Sequence, residues 1–169
     1  MLEELRRVVQ EVSGVSDLSR ALEIIVDRTQ AIMASEVCSV YLFDEKSKRY
    51  VFRATRGLNK QAVGKISLGT NEGLVGYVAQ RAEPVNVENV GDHPRNQYIA
   101  EIGEDAFHSF LGVPIIHQGQ VLGVLVVQHK SKRKFDESEE AFLITLSAQL
   151  AGVIAHAKAT GTLSLGRAR

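Results

Sequence analysis

Apolar positions along the chain change period several times, and each change marks an element. Leu2, Leu5, Val9 and Val12 recur at 3-4-3 spacing, which predicts an amphipathic helix over 2–12 that Gly14 ends. Leu18, Leu22, Ile25, Thr29 and Ile32 form a second helical stripe, running to about Met33, with Ser16 or Asp17 placed to cap it. VCSVYLF (37–43) is β-rich, DEKSKR is a charged turn, and YVFRATRG (50–57) is the returning strand of a hairpin. ISL (66–68) reads as a short strand, and NEGLVGYVAQRA (71–82) as a helix with Leu74, Val75, Val78 and Ala79 on one side. VNV (85–87) is a short strand after Pro84, and residues 88–106 are polar and loop-like. FLGVPIIHQGQVLGVLVVQ (110–128) is a second hairpin, with Gly119 supplying the turn and His117 expected in it, exposed. The last helix opens on a D-x-x-E capping box, Asp136 with Glu139, and carries Leu143, Leu146, Leu150, Val153 and Ala157 as its stripe.

The second hairpin does not alternate as a half-solvated antiparallel pair should. Leu111, Val113 and Ile115 occupy one face while Phe110, Pro114 and Ile116 occupy the other, and the second run is apolar on both sides too. Both faces must therefore be covered. The striped terminal helices close one face, and the excursion 58–108, too long for a bare connector, closes the other. The expected fold is α+β: a central antiparallel β-sheet with terminal helices on one face and a pocket-covering segment on the other. A long irregular segment laid over a sheet commonly encloses a pocket.

With 169 residues, 44% of them apolar, the chain suits one domain with one core. The expected division is an N-terminal helix (1–15), a sensor domain (16–158) and a tail or linker (159–169). Net charge is zero, which removes the electrostatic case for a nucleic-acid or anionic-membrane partner. Cys38 is the single cysteine, so no internal disulfide forms, and a reducing, cytosolic setting is expected. No signal peptide or membrane-length apolar run is expected. Heptad-like stripes on 2–12 and 143–157 suggest helices that also pair across a homodimer.

Candidate chemistry is sparse. GTNEGLVG (69–76) lacks both the Gly-Lys-Ser/Thr ending of a P-loop and G-x-G-x-x-G spacing. Gly73 and Gly76 instead suit close approach of a helix to the sheet. The helix N-terminus near Asn71 can hold a ligand carboxylate. His93, His108, His117, His129 and His156 show no metal-ligand spacing. Cys38, beside Glu36, has its thiol pKa raised and reads as buried filler. Ser39 and Tyr41 lie on the strand face opposite Cys38, Val40 and Leu42, where they either orient a ligand or bond the covering loop. Arg53 and Arg56 end a strand, and Arg56 either clamps a carboxylate or makes a surface ion pair. KSKRK (130–134) pairs locally with DESEE. No nucleophile–base pair, metal set or cofactor fingerprint appears, so the residues point to a ligand-binding or interaction domain. In the rival form the pocket is filled by Tyr98, Phe107 and Phe110.

Taken in order, VCSVYLFD, RATRG, NEGLVGYVAQ, a loop with HP, FLGVPI, GVLVVQHK and FDESEE resemble the GAF domains, small-molecule sensor modules, over about residues 17–158. LGVPIIHQGQVLGVLVVQ with FDESEEAFLITLSAQLA is similar to the N-terminal GAF domain of the nitrogen-related phosphoenolpyruvate–protein phosphotransferases. That resemblance implies a regulatory fragment with no catalytic residue and no cofactor of its own. Its partners would be the catalytic domains of a parent chain and a small amino acid or dicarboxylate such as glutamine or 2-oxoglutarate. By position in the cyclic-nucleotide branch, Ser39, Thr55, Arg56, Leu74 and Val75 are pocket positions; Tyr41, Asn71, Tyr98 and Phe107 complete the expected ligand-binding set. That branch's Asn-Lys, Phe, Asp-Glu signature is altered here to His129-Lys130, Phe135 and Glu139-Glu140, leaving a Lys130–Glu139 ion pair as a strand-to-helix tie. Bilin attachment and the reductase chemistry of other branches need cysteines that this chain lacks.

Overall fold

The computed structural model describes residues 2–97, 100–103 and 106–160. The chain order is α1 (Leu2–Ser13), α2 (Leu18–Met33), β1 (Val37–Asp44), β2 (Arg49–Arg56), β3 (Ser67–Leu68), α3 (Gly73–Arg81), β4 (Val85–Val87), β5 (Ser109–His117), β6 (Gln120–His129) and α4 (Glu137–Ala159). Short 3-10 turns lie at Lys60–Ala62, Val90–Asp92 and Ala100–Ile102.

The six strands form one antiparallel sheet in the order β3-β2-β1-β6-β5-β4. The two long hairpins meet where β1 pairs β6, from Val37 opposite Gln128 to Leu42 opposite Gly123. The β5–β6 connection has two residues, Gln118 (φ 50°) and Gly119 (φ 79°), the left-handed pair that a tight I′-type hairpin demands. His117 is therefore the last residue of β5, half-buried and paired with Gln120, and not a turn residue.

Two apolar clusters explain the missing alternation. On one face Cys38, Val40, Leu42, Leu111, Val113, Leu125 and Val127 pack against α1, α2 and α4. On the other Val37, Tyr41, Phe52, Phe110, Val124 and Val126 pack under α3 and the covering segment. Each wholly buried Leu or Ile adds about 1.5–3 kcal/mol relative to exposure, and Leu143, Leu146, Leu150 and Ile154 of α4 are all such residues. Contrary to the expectation of no membrane-length apolar run, α4 is long and apolar enough to cross a membrane by length and composition alone; here one of its faces is committed to the sheet.

Helix ends follow local chemistry. Asp17 caps α2, its Oδ1 accepting from Ser19 N at 3.2 Å. The capping box at α4 is complete: Glu139 N donates to Asp136 Oδ1 (2.8 Å) and Asp136 N to Glu139 Oε1 (2.9 Å). The stripe on α1 is shifted from the expected one: Leu5, Val8 and Val12 are buried, whereas Leu2 is 78% exposed.

Candidate functional site

The site is built around the start of α3. Two glycines let backbone come close there. A Cβ on Gly76 would sit 2.2 Å from the Gly69 carbonyl oxygen, so the turn before α3 folds back against the helix itself. A Cβ on Gly112 of β5 would meet Val78 Cγ2 at 2.9 Å, so this glycine is what lets α3 ride close on the sheet. The expectation for Gly73 and Gly76 is thereby corrected: Gly76 serves the turn, and Gly73 supplies a left-handed φ of 64°.

Glu72 precedes α3 but does not cap it. Its Oε1 accepts from Gly69 N (2.8 Å) and from Arg49, whose Nε also donates to Ser67 Oγ (2.8 Å). Arg49 thus ties β2, β3 and the turn together. The Gly69 amide, and next the Arg49 guanidinium, hold the Glu72 carboxyl below its usual pKa. A depressed carboxylate pKa adds stability that is present above its unfolded value and is lost as pH falls through the folded value. Glu72→Gln should therefore lower the urea midpoint at pH 7 and flatten its fall between about pH 5 and pH 3. An unchanged acid limb in the variant would remove Glu72 from that role.

The amides of Gly73, Leu74 and Val75 have no hydrogen-bond partner among the described residues; the first bond into α3 is Gly76 N to Glu72 O at 3.1 Å. They carry the positive end of the helix dipole. Leu74 and Val75 border a cavity of about 20 Å³ closed by Leu68, Val90, Asn96, Gln97, Phe107, Phe110 and Gln128. That is room for about one water. Gln128 is 4% exposed and lines this cavity from the end of β6. Among the described residues the lining carries no formal charge: its polar groups are three neutral amides and a helix N-terminus. Such a site favours a carboxylate or a neutral polar group over a cation.

The expected site residues divide. Leu74, Val75 and Phe107 meet at this cavity. Ser39, Tyr41 and Thr55 share the sheet face but lie within the packing: Ser39 Oγ and Thr55 Oγ1 are 2.9 Å apart, Leu58 N donates to Thr55 Oγ1 (3.3 Å), and the Tyr41 ring packs on Phe52 at 5.2 Å. Asn71 is exposed in the turn before α3. Arg56 is not brought to this site: it lies on the helix face, with Nη1 3.4 Å from Asp27 Oδ1 of α2. Tyr98 lies outside the described residues. Cys38 is fully buried, and it is chiefly burial, then Asp27, that pushes its thiol pKa up; Glu36 is not the cause.

The strand-to-helix tie also differs from expectation. Arg133, not Lys130, pairs with Glu139 (2.8 Å) and lies over the Phe135 ring, while Lys130 donates its backbone N–H to the Glu36 carboxylate. Asn86 of β4 holds the same place from the other side. Its Nδ2 donates to Phe135 O (2.9 Å) and Glu140 Oε2 (3.1 Å), and its Oδ1 accepts from Phe135 N (3.2 Å). The covering layer is thus hydrogen-bonded to the start of α4. Nothing in the pattern of VNV marks Asn86 for this.

Comparison with known proteins places these features. The GAF domain family profile matches residues 17–154. The chain is 44% identical over 160 residues to a phosphoenolpyruvate-dependent phosphotransferase system protein of Escherichia coli, a match that covers 95% of this chain and 21% of that protein. The chain therefore spans about a fifth of the length of the curated relatives it matches. The GAF domain of an Acinetobacter phosphoenolpyruvate-protein phosphotransferase is 49% identical with a TM-score of 0.87, covering 95% of each chain. The corresponding GAF domain from Coxiella burnetii is 44% identical with a TM-score of 0.91, covering 96% of this chain and 97% of that one.

Proposed function

This chain belongs to the GAF domain family, and from that premise we propose that it is the regulatory sensing domain of a phosphoenolpyruvate–protein phosphotransferase of the nitrogen-related, cytoplasmic kind. It binds a small metabolite under the covering segment and controls phosphotransfer by domains outside this chain. The observation that carries the reading is the pairing of a 44–49% identity to such GAF domains with a polar cavity at the α3 N-terminus. The ligand is an amino acid or dicarboxylate such as glutamine or 2-oxoglutarate. Its carboxylate meets the Gly73–Val75 amides and its polar end meets Gln128. The cavity holds only about one water as it stands, so binding selects a conformation in which the covering segment has moved out. Asn86 carries that displacement to the first turn of α4.

A thermal-shift titration of the chain with glutamine and 2-oxoglutarate tests this. A ligand at a hundredfold excess over its Kd should raise Tm by roughly 5–11 °C. Gln128→Leu should abolish the rise, and Arg56→Ala, on the other face of the sheet, should leave it intact. A rise lost with Arg56→Ala but kept with Gln128→Leu would move the ligand elsewhere. The small cavity also favours a second reading, an interaction module with a filled pocket. The exposed, uncharged stripe Ala141, Thr145, Ala148 and Gly152 of α4 would then pair with a second copy. In that case no metabolite shifts Tm, and the chain sediments as a dimer at tens of micromolar.

A further inference from the structure

A cleft of about 270 Å³ lies on the far side of β2 from the α3 site, between α2, the end of β2 and the 60–62 turn. Its two walls carry opposite charge. Glu23 and Asp27, one helical turn apart, project from α2, and Ser19 extends the same row by a further turn. Arg53 and Lys60 form the opposite wall. Between them Val26, Ala54 and Val63 make an apolar floor.

Arg53 reaches this wall because the strand is bulged. The β1–β2 register runs Val40 opposite Ala54 and then Tyr41 opposite Phe52, so Arg53 is the extra residue. Such a residue is freed from strict alternation and its side chain is re-aimed. Its Nη1 lies 3.9 Å from where a Cβ on Gly64 would stand, beside the 60–62 turn. Arg53 also feels Asp44 and Lys158 at its outer edge. Lys60 has no ion pair among the described residues. On the acidic wall the existing pairs are long and exposed: Glu23 with Arg20 at 3.3 Å and Asp27 with Arg56 at 3.4 Å. Exposed pairs of that kind exchange readily for a better-held partner.

We propose that this cleft is a second binding site, for a small zwitterion that carries an ammonium group and a carboxylate. The ammonium sits against Glu23 and Asp27, the carboxylate against Arg53 and Lys60, and the methylenes between them lie on the apolar floor. A simple anion or cation gains one wall and meets the like charge of the other, whereas a zwitterion satisfies both. The volume lies just below the roughly 300–1,000 Å³ of drug-sized pockets, which suits a molecule of amino-acid size. The site is independent of the α3 cavity and stands or falls separately from it.

The test is an amide-resolved NMR titration of the chain with γ-aminobutyrate, with acetate and methylammonium as single-charge probes. Saturable shifts are expected in residues 19–27 and 53–63, with each single-charge probe binding at least tenfold more weakly. Glu23→Gln with Lys60→Gln should weaken γ-aminobutyrate at least tenfold without moving Tm. Gln128→Leu should leave this titration unchanged while removing the metabolite response at α3. Absence of saturable shifts, acetate binding as tightly as γ-aminobutyrate, or an unaltered titration in the double variant would each overturn the proposal.

Discussion

Phe110→Ala should cost about 3–5 kcal/mol, the usual range for emptying an aromatic core position. Phe110 is 3% exposed on the covered face of β5, at the junction of sheet, cavity and covering segment. Its surroundings are poorly placed to collapse into the gap. A Cβ on Gly112 would lie 2.7 Å from the Phe110 ring and 2.9 Å from Val78, so α3 already sits at its closest approach to the strand. The void therefore persists and adds to the existing 20 Å³. Urea unfolding should show a lower midpoint with an unchanged slope, because the folded and unfolded surfaces differ little from the parent. The same change bears on the sensing proposal. If displacement of the covering layer is what limits binding, the variant should bind its metabolite more tightly relative to its own stability. A loss of less than about 1 kcal/mol would mean that the covering layer is loosely attached and that the cavity is not a packed feature.

The elements were legible because each carries its own period, and the two-sided packing was legible because the 110–128 hairpin breaks the alternation of a half-wet sheet. What the pattern concealed was one extra residue in β2. Tyr50 and Phe52 set the covered face by alternation, which would carry Ala54 and Arg56 to that face as well. The bulge at Arg53 reverses the parity, so Thr55 joins Phe52 while Arg56 turns to α2. No residue type at 53 announces a bulge, and so a carboxylate clamp at Arg56 looked reasonable in the sequence. Gln128 is the opposite case. It follows Val124 and Val126 at period two, and a lone amide ending an apolar row on the covered face was visible. It does not stand out as a site residue in the sequence, because burial of that strand end depends on the covering segment, whose path no local pattern fixes. Asn86 was hidden for the same reason: its partner Phe135 is 49 residues away.

Gly76→Ala and Gly152→Ala should change stability in opposite directions although both put the same methyl into a helix. At Gly152 nothing lies within 4 Å of the added Cβ and the position is exposed. The helix gains by relief of glycine's backbone entropy, about 0.5–1 kcal/mol. At Gly76 the same gain is overwhelmed. The Cβ would stand 2.2 Å from the Gly69 carbonyl oxygen and 3.1 Å from the Thr70 carbonyl carbon. These are backbone atoms, and Gly69 is itself held by its bond to Glu72, so no flexible side chain can give way. The turn must lift off α3, at a net cost of about 1–3 kcal/mol or more. That movement also carries away the geometry at the start of the helix, where Gly73–Val75 border the cavity. Gly76→Ala should therefore lose metabolite response at temperatures where it is still folded, while Gly152→Ala keeps it. Parallel urea titrations give the sign of each change, and a Gly76→Ala variant as stable as Gly152→Ala would show that the turn and α3 are not in the close contact on which the site depends.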